Sequence, residues 1–217
     1  MKKLFVCLMA LCLGVSMNVS AQSAYAKQKA KQAKKEYKQK VKKLEKDGWE
    51  ILGSSHTLEM CLLEHYTALE QEGVTELTGY ATSASKNIGK DKLMMSACAS
   101  YSQRIGSYIK GRIVEDLGSA LTSEELDEFE HFYAAYENNV KAEIRGELKP
   151  SYTIYRPVKI HGKDAYEFEG YYLIDEAGAS SARIRAFKNA AKESAVAQKY
   201  AESVSKFIEE ASVVDEE

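Results

Sequence analysis

The amino terminus decides where this chain must fold before any other part of it does. Lys2 and Lys3 precede an apolar run from Leu4 to Val15, and Val19, Ser20 and Ala21 follow. A short charged start, an apolar run too brief to span a bilayer stably and small residues for a signal peptidase read together as a cleavable secretory signal. Cleavage is expected before Gln22, placing the mature protein in the periplasm or otherwise outside the cytosol. Beyond that segment no uninterrupted apolar stretch approaches the roughly 20 residues of a membrane helix, so no transmembrane segment is expected after cleavage. Cys7 and Cys12 leave with the signal. Cys7 follows Val6 and Cys12 follows Leu11, so neither has the small preceding residue of a lipid-attachment site.

Whole-chain charge is −2, from 30 basic and 32 acidic side chains. Losing Lys2 and Lys3 with the signal makes the mature chain more negative, which favours solubility and argues against nucleic acid as a global partner. About two hundred residues supply one good core. Only Pro150 and Pro157 occur and no Gly/Ser-rich linker interrupts the chain, so residues 48–217 are expected to form a single domain. Cys61 and Cys98 remain, an even pair that an oxidising compartment would allow to bond. Both also fall on apolar helical stripes, where a free cysteine packs as a small hydrophobe. The two readings stand side by side.

Residues 24–46 hold ten lysines and two acids. Ala26, Ala30, Ala33, Tyr37, Val41 and Leu44 recur at spacings of three and four, predicting a lysine-rich helix over 22–47 with a thin apolar seam that Asp47-Gly48 ends. A second helix is predicted from Ser55 to Gln71, with Ser54 or Ser55 as cap. Thr75 to Ser83 reads as a strand in which Gly79 permits a bulge or close backbone approach. A loop through Asn87 and Gly89 is expected next. Helical spacing resumes at Asp91, and Arg112–Leu117 fits either an extension of that helix or a short strand. Thr122 and Glu125 form a capping box ahead of a helix ended by Gly146. Tyr152–Ile160 and Ala165–Ile174 read as a hairpin, with Pro157 suited to an edge strand. A single last helix is predicted from about Ala179 to Ala211, ahead of the acidic tail Asp215-Glu216-Glu217. The order of elements predicts an α+β fold: an antiparallel sheet of about three to four strands with helices on one face, preceded by the basic helix.

The Gly-containing strand at Thr75–Ser83, the small-residue-rich helix from Asp91, the strand pair and the final helix resemble the twenty-kilodalton membrane-associated lipoprotein (Lpp-twenty-like) superfamily. That superfamily also includes the amino-terminal domain of a flagellar assembly protein. The lysine-rich start, Lys46-Asp47-Gly48-Trp49, the helix at Leu58-Glu59 and the tyrosine-rich hairpin more closely resemble uncharacterised exported Bacteroidetes proteins. The resemblance covers most of the mature chain and implies a cell-envelope domain with no catalytic residues. Its lipoprotein members are tethered through an acylated cysteine that this signal lacks, so membrane anchorage does not carry over.

Motifs for chemistry are sparse. His56 and His65 lie nine positions apart, on opposite sides of one helix, and no His-x-x-x-His occurs. No Gly-flanked nucleophile turn, phosphate loop or dinucleotide fingerprint is present. The acids Glu124, Glu125, Asp127 and Glu128 open a helix, where they complement its dipole. These patterns predict no enzyme activity, metal or cofactor. Two surfaces remain. Lys34, Lys35, Lys42 and Lys43 present point charges suited to an anionic lipid or peptidoglycan surface. The hairpin edge near Tyr155 and Arg156, within a cluster of tyrosines, suits contact with an envelope protein by strand addition. The sequence therefore predicts an exported cell-envelope interaction or structural domain. An envelope enzyme whose histidines and carboxylates only the fold brings together is the alternative, as is a scaffold self-associating through the lysine helix.

Overall fold

The computed structural model describes Lys35 and residues 37–211. The predicted signal, Lys34 and the acidic tail lie outside the described residues. The chain divides into two compact units, residues 1–47 and 48–217. In the first unit, residues 37–46 form helix α1. The Asp47 N–H closes its last turn on the Lys43 carbonyl at 2.9 Å, and Gly48 follows at φ +79°.

The second unit is α+β. Its four-stranded antiparallel sheet runs in the order β1-β3-β4-β2, with β1 Glu50–Ile51, β2 Val74–Ser83, β3 Lys149–Ile160 and β4 Lys163–Asp175. The β3–β4 hairpin closes through His161 and Gly162 alone, at φ +48° and +78°, the two left-handed positions that match the twist of a tight hairpin. In β4, Phe168, Gly170, Tyr172 and Ile174 face one side and are buried, as their alternation predicts. The opposite residues are not all solvated, because Tyr171 is also buried.

Helix α3, Lys86–Leu117, packs on the first face. It begins where a loop through Asn87 and Gly89 was expected, and it runs through Arg112–Leu117 without a strand. Low helix propensity at Gly89 is overridden by packing. A β-carbon there would stand 2.3 Å from the Phe168 ring, so only glycine lets the helix approach. Gly79 meets the same helix from β2, where an added β-carbon would lie 2.1 Å from the Leu93 carbonyl oxygen. The close approach read from the strand glycine is present.

Helix α2, Leu58–Leu69, lies on the other face, so helices flank the sheet on both sides and not one. Its cap is Thr57, whose hydroxyl accepts the Met60 N–H; Ser54 Oγ instead accepts the His56 N–H.

Behind α3 stand α4, Ser123–Ile144, and α5, Glu176–Ala190. The Thr122–Glu125 capping box forms as predicted, with both reciprocal bonds present. The single final helix does not. A 3-10 turn at Ala191–Glu193 separates α5 from α6, Ala195–Lys199, and Tyr200 separates α6 from α7, Ala201–Glu210. Neither Gly nor Pro marks these breaks. Instead, Glu128 of α4 accepts the Ser194 hydroxyl and the Val196 N–H, and Ser194 caps α6. A side chain 66 positions away thus stops α5 and turns the chain back.

That reversal brings the Ile208 carbonyl to Arg183, which is fully buried. Its guanidinium donates to Ile208, to the Tyr101 hydroxyl at 2.9 Å and to Glu176 at 2.6 Å, joining α3, α5 and α7. A charge taken out of water is tolerable only when paired and hydrogen-bonded in this way.

Candidate functional site

Helical geometry sorts the residues of the first unit into two faces. At about 100° per residue, Lys35, Lys38, Lys42 and Lys46 fall on one ridge, with Lys43 beside it, and Tyr37, Val41 and Leu44 lie on the far side. Lys35, Lys38, Lys42, Lys43 and Lys46 are exposed, and none has an ion pair among the described residues. In the second unit many cations are committed: Arg112 to Asp116 and Glu210, Arg185 to Glu143 and Glu147, Lys199 to Glu125. The lysine ridge is a concentrated positive stripe, with Glu45 the acid beside it among the described residues of α1.

The predicted hairpin strip is differently placed. Strand β1 occupies the edge of β3, pairing Glu50 with Tyr155 and Ile51 with Ile154, and the Leu52 N–H bonds to the Thr153 carbonyl. Tyr155 donates its hydroxyl to Glu50 at 2.5 Å and carries the Lys86 ammonium 3.8 Å above its ring. Arg156 pairs with Glu167 at 2.7 Å and stacks on Trp49. Both residues are engaged within the fold, and β1 fills the edge at Ile154 and Tyr155.

Cys61 and Cys98 are free thiols, one on α2 and one on α3, on opposite faces of the sheet. No disulfide joins them here. Burial pushes the Cys98 thiol above its ordinary range, which keeps it protonated and inert.

A third place was invisible in the sequence. From the covered side of α2, His65, fully buried, reaches two polar groups of the sheet. Its Nε2 lies 2.5 Å from Glu76 Oε2 on β2, and its Nδ1 lies 2.9 Å from Ser151 Oγ on β3. A carboxylate only accepts, so Nε2 carries the proton toward Glu76. In the neutral ring Nδ1 is then an acceptor, and the Ser151 hydroxyl donates to it. Thr78 donates to the other oxygen of Glu76 at 3.1 Å. The rings of Tyr66, Tyr152 and Tyr171 stand edge-on around the imidazole at 5.2 to 6.0 Å, and Tyr152 stacks on Tyr171 at 4.3 Å. Burial raises the phenol pKa of Tyr152 and Tyr171, so both stay neutral.

Ser151 occupies a special backbone position. The β3–β4 register passes from Pro150 opposite Tyr172 to Tyr152 opposite Tyr171, so Ser151 has no partner on β4. Such a bulge re-aims a side chain. The remaining sequence candidates do not converge. His56 pairs with Glu64 at the surface, Glu125 closes the capping box of α4 and pairs with Lys199, Glu128 holds the start of α6, and no group of three metal-ligating side chains occurs among the described residues.

No family model matches the chain, and neither a curated protein nor a solved structure does.

Proposed function

We propose that the protein is an exported cell-envelope component that attaches to an anionic surface through α1, without membrane insertion. The lysine ridge at Lys35, Lys38, Lys42 and Lys46 carries this reading. Lys43 adds to it, and the neighbouring Lys34 extends the charge run in sequence. Each lysine near an anionic surface contributes about 1 kcal/mol, and salt weakens the sum because the charges are exposed. The amino-terminal signal pattern and the lipoprotein-like resemblance support an envelope address. No helix among the described residues is long and apolar enough to cross a membrane, consistent with a peripheral contact.

Fractionation of cells and co-sedimentation with vesicles test the reading. The mature protein is expected outside the cytosol, and on vesicles of anionic phospholipid at low salt. Release is expected at about 1 M salt, where the Debye length falls to about 3 Å. Replacing Lys35, Lys38, Lys42 and Lys43 by Glu is expected to abolish co-sedimentation. A cytosolic protein, or vesicle binding indifferent to those four charges, overturns it.

A further inference from the structure

We propose that Ser151 is an activated nucleophile, with His65 as its base and Glu76 as the residue that positions the base, and that the site takes the carbonyl carbon of a small carboxylic ester. Nothing in this depends on the α1 reading.

Three elements, α2, β2 and β3, meet at this site. Nucleophilic catalysis by a hydroxyl needs a base within hydrogen-bond reach and a third group that fixes the base's tautomer. Ser151 Oγ, His65 and Glu76 satisfy both demands at 2.9 Å and 2.5 Å. The chain order and the ring nitrogens differ from the familiar serine triad, but the roles are defined by geometry and not by position. The base is the most buried member of the relay. Ser151 is half-buried, whereas the His65 side chain is 0% exposed and the Glu76 side chain 29%. The hydroxyl is therefore the member of the relay that substrate and the attacking water meet first, with Nδ1 directly behind it. The bulge lifts Ser151 out of the β3–β4 register, and Thr78 holds the second oxygen of Glu76.

In the reaction, a bond forms between Ser151 Oγ and the ester carbonyl carbon as the hydroxyl proton passes to His65 Nδ1. The bond to the alcohol oxygen then breaks, and that oxygen leaves with the proton from Nδ1. Water adds to the acyl-serine by the same route, its proton passing through Nδ1 to the departing Ser151 oxygen, and a carboxylic acid is released. Glu76 stays ionised throughout and stabilises the imidazolium formed between steps.

The test uses the mature full chain, a fluorophosphonate probe and p-nitrophenyl acetate. One adduct is expected, located at Ser151 by mass spectrometry in the folded protein and absent after unfolding. Ester hydrolysis is expected to vanish in Ser151→Ala and to fall about a hundredfold in His65→Gln, the scale of general-base catalysis. Glu76→Gln is expected to lower kcat with KM unchanged, a split that loss of a merely structural contact does not produce. Ser205→Ala, on the outer side of α7, should react as the parent protein does. Circular dichroism establishes that each variant is folded; if His65→Gln is not, Ser151→Ala and Glu76→Gln decide the matter. Absence of an adduct at Ser151, or equal hydrolysis by the parent, Ser151→Ala and Glu76→Gln, overturns the proposal.

Discussion

The two faces of the sheet are held by opposite means. Against α3 the contact is apolar and close: Gly79 and Gly170 admit Leu93, Gly89 admits Phe168, and burial pushes the Tyr172 phenol up to about 12. Against α2 the central contact is polar, with one imidazole spanning β2 and β3. The first face tolerates no added atom, whereas the second depends on partners of the right chemistry. At the α3 face shape sets the closest contacts, with the Tyr80 N–H to Ser96 Oγ bond at its margin; at the α2 face a hydrogen-bonded imidazole stands beside the buried Leu58, Cys61 and Leu62.

The largest expected effect breaks the apolar face. Gly79→Ala puts a β-carbon into the Leu93 backbone, which no rotamer change relieves. Overpacking of this kind is expected to cost about 3 kcal/mol, measured as a lower urea midpoint. A loss no larger than that of an exposed strand glycine would mean that the two elements slide apart freely. Next comes the polar face. His65→Ala removes both hydrogen bonds in a buried site and is expected to cost about 2 kcal/mol. His65→Leu, similar in bulk, should cost as much, because the loss lies in the hydrogen bonds. If leucine restores stability, packing governs both faces and the contrast fails.

The smallest effect concerns acid. Asp175 caps α5 by accepting the Gly178 N–H, and that bond, with Lys149 nearby, holds its carboxyl below the ordinary range. A depressed folded-state pKa means that its stabilisation is present above the unfolded value, about 3.9, and is lost as pH falls through the folded value. Asp175→Asn keeps an oxygen for the cap, so neutral stability should shift by less than about 1 kcal/mol. The drop in melting temperature below pH 4 should become shallower. An unchanged acid limb would assign that limb to the other carboxylates.

What the sequence disclosed follows the range of the forces involved. The Thr122–Glu125 box spans three residues and was legible, as were the hairpin alternation and the Gly79 approach. The start of α3 was misread because Asn87 and Gly89 are poor helix formers locally, and their reason for being there is the distant Phe168. The edge assignment of β3 rested on Pro157. The ring nitrogen does face away from β4, on the side of Thr153, but β1 reaches only as far as Tyr155. The edge is therefore open at Pro157 and covered at Tyr155 and Ile154. The split of the last helix was unreadable, since Glu128 enforces it from another element. The His65 cluster was unreadable for the same reason: Ser151 lies 86 positions from His65, and no local pattern marks either residue.

Arg183 has a consequence for how the chain matures. Its carbonyl acceptor, Ile208, lies 25 positions further along the chain, in α7. A nascent chain still missing that helix has a guanidinium with one acceptor absent at the centre of its helices, and burying it so is costly. The helical layer can therefore seal only once α7 has emerged from the ribosome.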